Sequence, residues 1–106
     1  MNEQIKTIIT KTKQGLKKLY GEQLDKIILF GSQARGDARP DSDIDILIVL
    51  KKSFNYSHES DRISVFIADL CLEYNVLISC AFATAQQFYQ HNNGFFRNIR
   101  QEGLAI

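Results

Sequence analysis

Gly31 and Ser32 are followed, ten residues on, by the triplet Asp43-Ile44-Asp45. The Gly-Ser pair closes a short apolar run, Ile27 to Phe30, and the acids open a second one that continues to Leu50. Side chains on a strand alternate between faces, so Asp43 and Asp45 are expected on one side, with Ile44, Leu47 and Val49 assigned to the other. Carboxylates two residues apart on a strand are attached about 6.5 Å from each other. At an effective dielectric near 20 they repel by roughly 2 to 3 kcal/mol. A structural strand gains nothing from that repulsion. A hard divalent cation such as Mg2+ turns it into attraction, because such ions take oxygen ligands and combine carboxylates with substrate phosphates. A glycine-containing turn that frees backbone amides at a helix start is a candidate cradle for those phosphates.

The segments Gly31-Ser32-Gln33-Ala34-Arg35-Gly36-Asp37-Ala38-Arg39 and Asp41-Ser42-Asp43-Ile44-Asp45-Ile46-Leu47 resemble the signature of the DNA polymerase beta-like nucleotidyltransferases. Within that superfamily they are similar to the minimal nucleotidyltransferases, small prokaryotic proteins commonly encoded beside a helical HEPN partner. The resemblance implies an α/β (α+β) fold with a short mixed sheet of three or four strands flanked by helices. It implies Asp43 and Asp45 as metal-binding and catalytic residues, with Gly31, Ser32 and Arg35 at the nucleotide. The implied chemistry is magnesium-dependent transfer of a nucleoside monophosphate, AMP from ATP, to a hydroxyl, with a tyrosine of the HEPN toxin as acceptor.

At 106 residues and 44% hydrophobic composition, the chain is expected to form one domain, residues 1 to 106, around one modest core. Thirteen basic and twelve acidic side chains leave a formal net charge of +1, which supplies no global attraction to nucleic acid. Cys71 and Cys80 suit neither a disulfide scaffold nor a four-ligand zinc site, and read as buried or half-buried thiols in a reducing compartment. No stretch approaches the roughly 20 apolar residues of a membrane span, and the cytoplasm is the expected compartment.

The elements that must position the acids follow from periodicity. Ile5, Ile8, Ile9, Thr12, Leu16 and Leu19 recur at helical spacing over residues 3 to 20, with Gly21 placed to end the helix and Gly15 costing it about 1 kcal/mol. Residues 25 to 30 read as a central strand covered on both faces. Ser32 has the chemistry of a helix cap. Pro40 holds Arg39 extended, and Asp41 or Ser42 can bond nearby amides. Arg35 can pair with a local acid or fork onto a triphosphate, whereas Arg39 reads as structural. Residues 51 to 57 read as a loop whose Phe54 and Tyr56 either stack on a base or tuck onto the core. A second helix runs from Ser57 or His58 to Glu73, with Ser57 a candidate cap and Asp61, Asp69 and Glu73 outward. A third strand spans 76 to 83, and two short helices, 84 to 90 with Thr84 as cap and 95 to 102, complete the chain. His58 and His91 read as solvated. Phe88, Tyr89, Phe95, Phe96, Ile99 and Leu104 form an apolar set that closes the core or meets another subunit.

Fully equipped relatives take a third carboxylate from the strand after the Asp-x-Asp strand. No Asp or Glu lies between Glu73 and Glu102 here; Ser79 and Asn75 offer neutral oxygens instead. Two functions therefore stand: an enzyme with a thinly ligated activating site, and an antitoxin-like protein of weak or no activity that neutralises a partner by contact.

Overall fold

The computed structural model describes residues 1–106 as helices packed on both faces of a four-stranded mixed sheet. In chain order the elements are α1 (Glu3–Tyr20), β1 (Leu24–Phe30), α2 (Ser32–Arg35), β2 (Ile44–Leu50), α3 (Tyr56–Tyr74), β3 (Ile78–Thr84), α4 (Ala85–Gln90), α5 (Gly94–Glu102) and β4 (Leu104–Ala105). The strand order is β3-β2-β1-β4. β1 is antiparallel to β2 and β4, while β2 and β3 run parallel through the α3 crossover. This is the small mixed sheet flanked by helices that the sequence predicts.

β2 is the axis of the molecule. Ile44, Ile46, Ile48 and Leu50 face α1 and α3 in the larger core, together with Ile8, Leu16, Ile27, Leu29, Ile63 and Ile67. Leu47 and Val49 face the opposite way, against Ile28, Phe88, Phe96 and Ile99 under α4 and α5. The expectation that placed Leu47 and Val49 opposite Asp45 is thus corrected. A period of two counted from residue 45 puts 47 and 49 on its own face, and only the even-numbered residues lie across the sheet.

Helix α1 buries Ile5, Ile8, Ile9, Thr12, Leu16 and Tyr20. Leu19, expected in that stripe, is exposed, and Tyr20 takes its place, since 3.6-residue spacing from Leu16 favours position 20 over 19. Gly21 ends the helix at φ 55°, as expected. Gly15 is required by packing, because a Cβ there would overlap the ring of Phe66 from α3. Helix α3 begins one or two residues earlier than predicted and is capped by Asn55, whose side chain accepts from the His58 amide, leaving Ser57 inside the first turn. Tyr56 is therefore helical. Its ring and that of Phe54 lie 5.8 and 5.7 Å from Phe82, so both pack on the domain. Asp61, Asp69 and Glu73 are exposed, as are His58 and His91, and both cysteines are half-buried free thiols.

β3 starts at Ile78, two residues later than predicted, and ends at Thr84. There Thr84 and Gln87 form a reciprocal capping box for α4. Asn93 caps α5, and Arg100 ties the α4–α5 junction by donating to the carbonyls of Phe88, at 2.6 Å, and His91, at 2.8 Å. The apolar tail divides: Phe88, Phe96 and Ile99 are buried, while Tyr89, Phe95 and Leu104 are exposed. The two-residue β4 was not foreseen; it covers the outer edge of β1, where Ile106 donates to the Ile27 carbonyl. No helix is long and apolar enough to cross a membrane.

Candidate active site at the rim of the central strands

The residues singled out in the sequence converge where β1 ends and β2 begins. Asp45 is paired across the sheet with Phe30 on β1 and with Ser79 on β3. Paired residues share a face, so Asp45 stands between an aromatic ring and a hydroxyl at the rim of the sheet. Asp43, just ahead of β2, is exposed, and Asp45 is half-buried.

Gly31 turns the chain out of β1 at φ 74°, a conformation that favours glycine. A Cβ at this position would overlap the Asp45 carboxylate. The turn and the acid are therefore in direct apposition, a relation that sequence spacing could suggest but not establish. The single helical turn α2 follows. Ser32 is not its cap: Gly31 occupies the cap position, no side-chain cap bond forms, and Ser32 is the first helical residue. The reason is geometric, since a capping hydroxyl must precede the amides it receives, and the turn already uses Gly31 for its sharp exit. The Gly31 carbonyl accepts from the amides of Ala34 and Arg35, and the Ser32 carbonyl from those of Gly36 and Asp37. The Ser32 hydroxyl has no partner within the protein, which leaves it available to a ligand.

Arg35 is held sideways. Its Nε lies 3.2 Å from Asp37 Oδ2 and its Nη1 3.6 Å from Glu102 Oε2, an interaction between α2 and the end of α5 that no local pattern announces. The group is substantially exposed, so these pairs contribute little stability but bias its direction. A cleft of about 180 Å³ opens beside Gly31, bordered by Phe30, Arg35, Phe95, Asn98, Ile99 and Glu102. Phe95, 47% exposed, meets Phe30 edge to face at 5.9 Å. These α5 residues were not among the sequence candidates, because nothing short of the tertiary fold brings residues 95 to 102 to position 31. Arg39 makes no ion pair; its backbone amide donates to the Ser42 hydroxyl at 2.7 Å, closing the turn expected around Pro40.

The electrostatics of the acids agree with their placement. The carboxyl of Asp45 is raised above its ordinary range, first by burial and then by the charge of Asp43, with Arg35 acting in the opposite direction. Two hard oxygen donors of like charge are of the kind that would hold Mg2+ together with phosphate oxygens. They do not make a closed protein site. No group of three or more His, Cys, Asp or Glu side chains converges on one point, and the position paired with Asp45 on the next strand is Ser79.

A mixed sheet with a Gly-Ser turn leading from its first strand and an Asp-x-Asp at the start of its second defines the nucleotidyltransferase fold. The nucleotidyltransferase domain family matches residues 9–102, and the chain belongs to it. A protein of Methanocaldococcus jannaschii that bears the provisional name protein adenylyltransferase MJ0604 is 40% identical over 96 residues, 86% of each chain. Among solved structures, a nucleotidyltransferase assigned provisionally in Sulfolobus solfataricus superposes with a TM-score of 0.61 at 22% identity, covering 99% of this chain and 86% of that one. A toxin–antitoxin structure with AMP-PNP superposes at 0.63 with 17% identity, covering 91% and 69%.

Proposed function

We propose that the protein transfers a nucleoside monophosphate, AMP from ATP, to a hydroxyl of a macromolecular acceptor, a tyrosine of a helical HEPN-type toxin. The observation that supports this reading is the apposition of the Gly31 turn and the Asp45 carboxylate. The name of the M. jannaschii relative supports protein as the acceptor class. The toxin–antitoxin likeness agrees with a protein partner.

In this reading Asp43 and Asp45 hold Mg2+, which supplies Lewis-acid stabilisation of the phosphate charge. The Ser32 hydroxyl and the turn at Gly31 receive the outer phosphates, and Arg35 is drawn from Asp37 and Glu102 toward them. The acceptor hydroxyl gives its proton to water as its oxygen forms a bond to the α-phosphorus, the bond from that phosphorus to its bridging oxygen breaks, and pyrophosphate leaves. Positioning and charge stabilisation carry the catalysis, because the site contains no general base beyond the two acids.

The neutral Ser79 in register with Asp45 favours a second reading, a contact antitoxin with weak or no transfer. One experiment separates them: incubation with α-labelled ATP, Mg2+ and the helical partner, for the wild type, Asp43→Asn and Asp45→Asn. The enzyme predicts labelled partner, reduced about 100-fold or more in each variant. Full neutralisation of the partner by both variants without any labelled product defeats it in favour of contact inhibition.

A further inference from the structure

β3 is an edge strand, and its hydrogen-bonding pattern can be followed residue by residue. Ile44 pairs with Ile78 in the parallel ladder and donates to the Leu77 carbonyl. In a parallel pair this fixes the odd-numbered residues of β3 toward β2, so Ile78, Cys80, Phe82 and Thr84 turn their amides and carbonyls outward. The two ends of that row are closed from within the chain. The Ile78 amide donates to Cys71 Sγ at 3.4 Å, and the Thr84 amide to Gln87 Oε1 at 2.9 Å. Between them the amides of Cys80 and Phe82 have no partner in the protein.

Soluble proteins ordinarily blunt such an edge with charge, proline or a covering segment. The strand Ile78-Ser79-Cys80-Ala81-Phe82-Ala83-Thr84 has no charged residue and no proline, and no further strand lies beyond it. The opposite edge of the sheet, by contrast, is covered by β4.

We propose that this edge pairs with the same edge of a second copy, antiparallel about a two-fold axis at Ala81, giving an eight-stranded sheet across the dimer. The argument for a second copy as occupant is self-complementarity. With Ala81 on the axis, Cys80 of one chain stands opposite Phe82 of the other, and each such pair exchanges both of its backbone hydrogen bonds. The four open groups of Cys80 and Phe82 on one edge are thus matched by the four on the second, and the internally bonded amides of Ile78 and Thr84 fix the register. Ala81 meets its own copy at the closely spaced, non-hydrogen-bonded position, where a small side chain fits. On one face, the Phe54, Tyr56 and Phe82 cluster of each chain approaches Cys80 of the other. Leu77, 56% exposed at the entrance to the strand, adds apolar surface at each end.

The test uses the full chain. Sedimentation velocity is expected to find a concentration-dependent dimer for the wild type and for Cys80→Ala, and a monomer for Cys80→Pro, which deletes one outward amide while leaving the β2 ladder intact. Circular dichroism checks that the proline variant is folded. Independently, Ala81→Cys with Cys71→Ser and Cys80→Ala is expected to oxidise to a covalent dimer, because the non-hydrogen-bonded spacing of about 4.5 Å lies within disulfide reach. A wild type that remains monomeric overturns the proposal, even if the edge accepts a strand from another protein. A dimer that survives Cys80→Pro while Ala81→Cys fails to cross-link also overturns it. None of these measurements involves nucleotide, so their outcome is separate from that of the transfer assay.

Discussion

Ser79 is the residue on which the strength of the proposed metal site turns. It lies across from Asp45 on the parallel neighbour strand, where an acid would give the pair of carboxylates a third member. Ser79→Asp is expected to lower the melting temperature without metal, through added repulsion beside Asp45, and to enlarge the rise in melting temperature caused by Mg2+ and nucleotide. Differential scanning fluorimetry with and without Mg2+ checks both, and an equal shift in variant and wild type would refute the assignment. Cys80 gives a second expectation. Burial, with a smaller contribution from Cys71, pushes its thiol up to about 12. Above the ordinary thiol range the unfolded chain releases this proton and the folded chain keeps it, so stability falls as pH rises. The loss reaches about 2 kcal/mol by about pH 10.5. Urea titrations between neutral pH and that point should be flatter in Cys80→Ala. At this scale, the acids and Gly31 could be singled out as candidates because residue type and spacing alone suggest their chemistry. The Arg35–Glu102 pair and the burial of Glu59, 8% exposed beside Arg62 at 2.9 Å, were not, since each depends on which helix arrives from elsewhere.

At the scale of elements, glycine in α1 shows how packing overrides helix propensity. In an exposed helix, Gly15→Ala would stabilise by about 1 kcal/mol. Here the added methyl group meets the Phe66 ring, and the substitution is expected to destabilise by about 1 to 3 kcal/mol in chemical denaturation. A gain in stability would mean that α1 and α3 can separate at little cost. The long helices were legible from their apolar spacing, because six buried positions over the five turns of α1, and Ile63, Ile67 and Leu70 in α3, leave one solution for the core-facing side. Their exact starts were less so. Asn55 and Ser57 are both competent caps, and the choice of Asn55 follows from where Tyr56 must stand to reach Phe82. β4 carries no periodic pattern at two residues, and exists because the edge of β1 offers it a place.

For the whole molecule, the layers follow from a sheet with two apolar faces, and both faces are written into β2 as adjacent buried residues from Ile46 to Leu50. What the pattern could not supply was register, which decides that Ser79 rather than Asn75 stands beside Asp45. Topology also sets an order of assembly. The segment between β1 and β2 covers residues 31 to 43, while the crossover from β2 to β3 covers 51 to 77, about twice the length. Closing the longer connection costs roughly 0.6 kcal/mol more in chain entropy. The β1–β2 pairing is therefore expected in the folding nucleus, with α5 docking later. Ile27→Val should mainly slow refolding and Ile99→Val mainly speed unfolding in stopped-flow experiments. The reverse pattern would place the nucleus elsewhere. The connection that closes first carries Gly31, Ser32 and Asp43 and leads directly into Asp45 on β2. A nascent chain would thus bring the Gly31 turn and the two acids together before its sheet is complete, and if they hold Mg2+ and nucleotide as proposed, both together should speed refolding as well as slow unfolding.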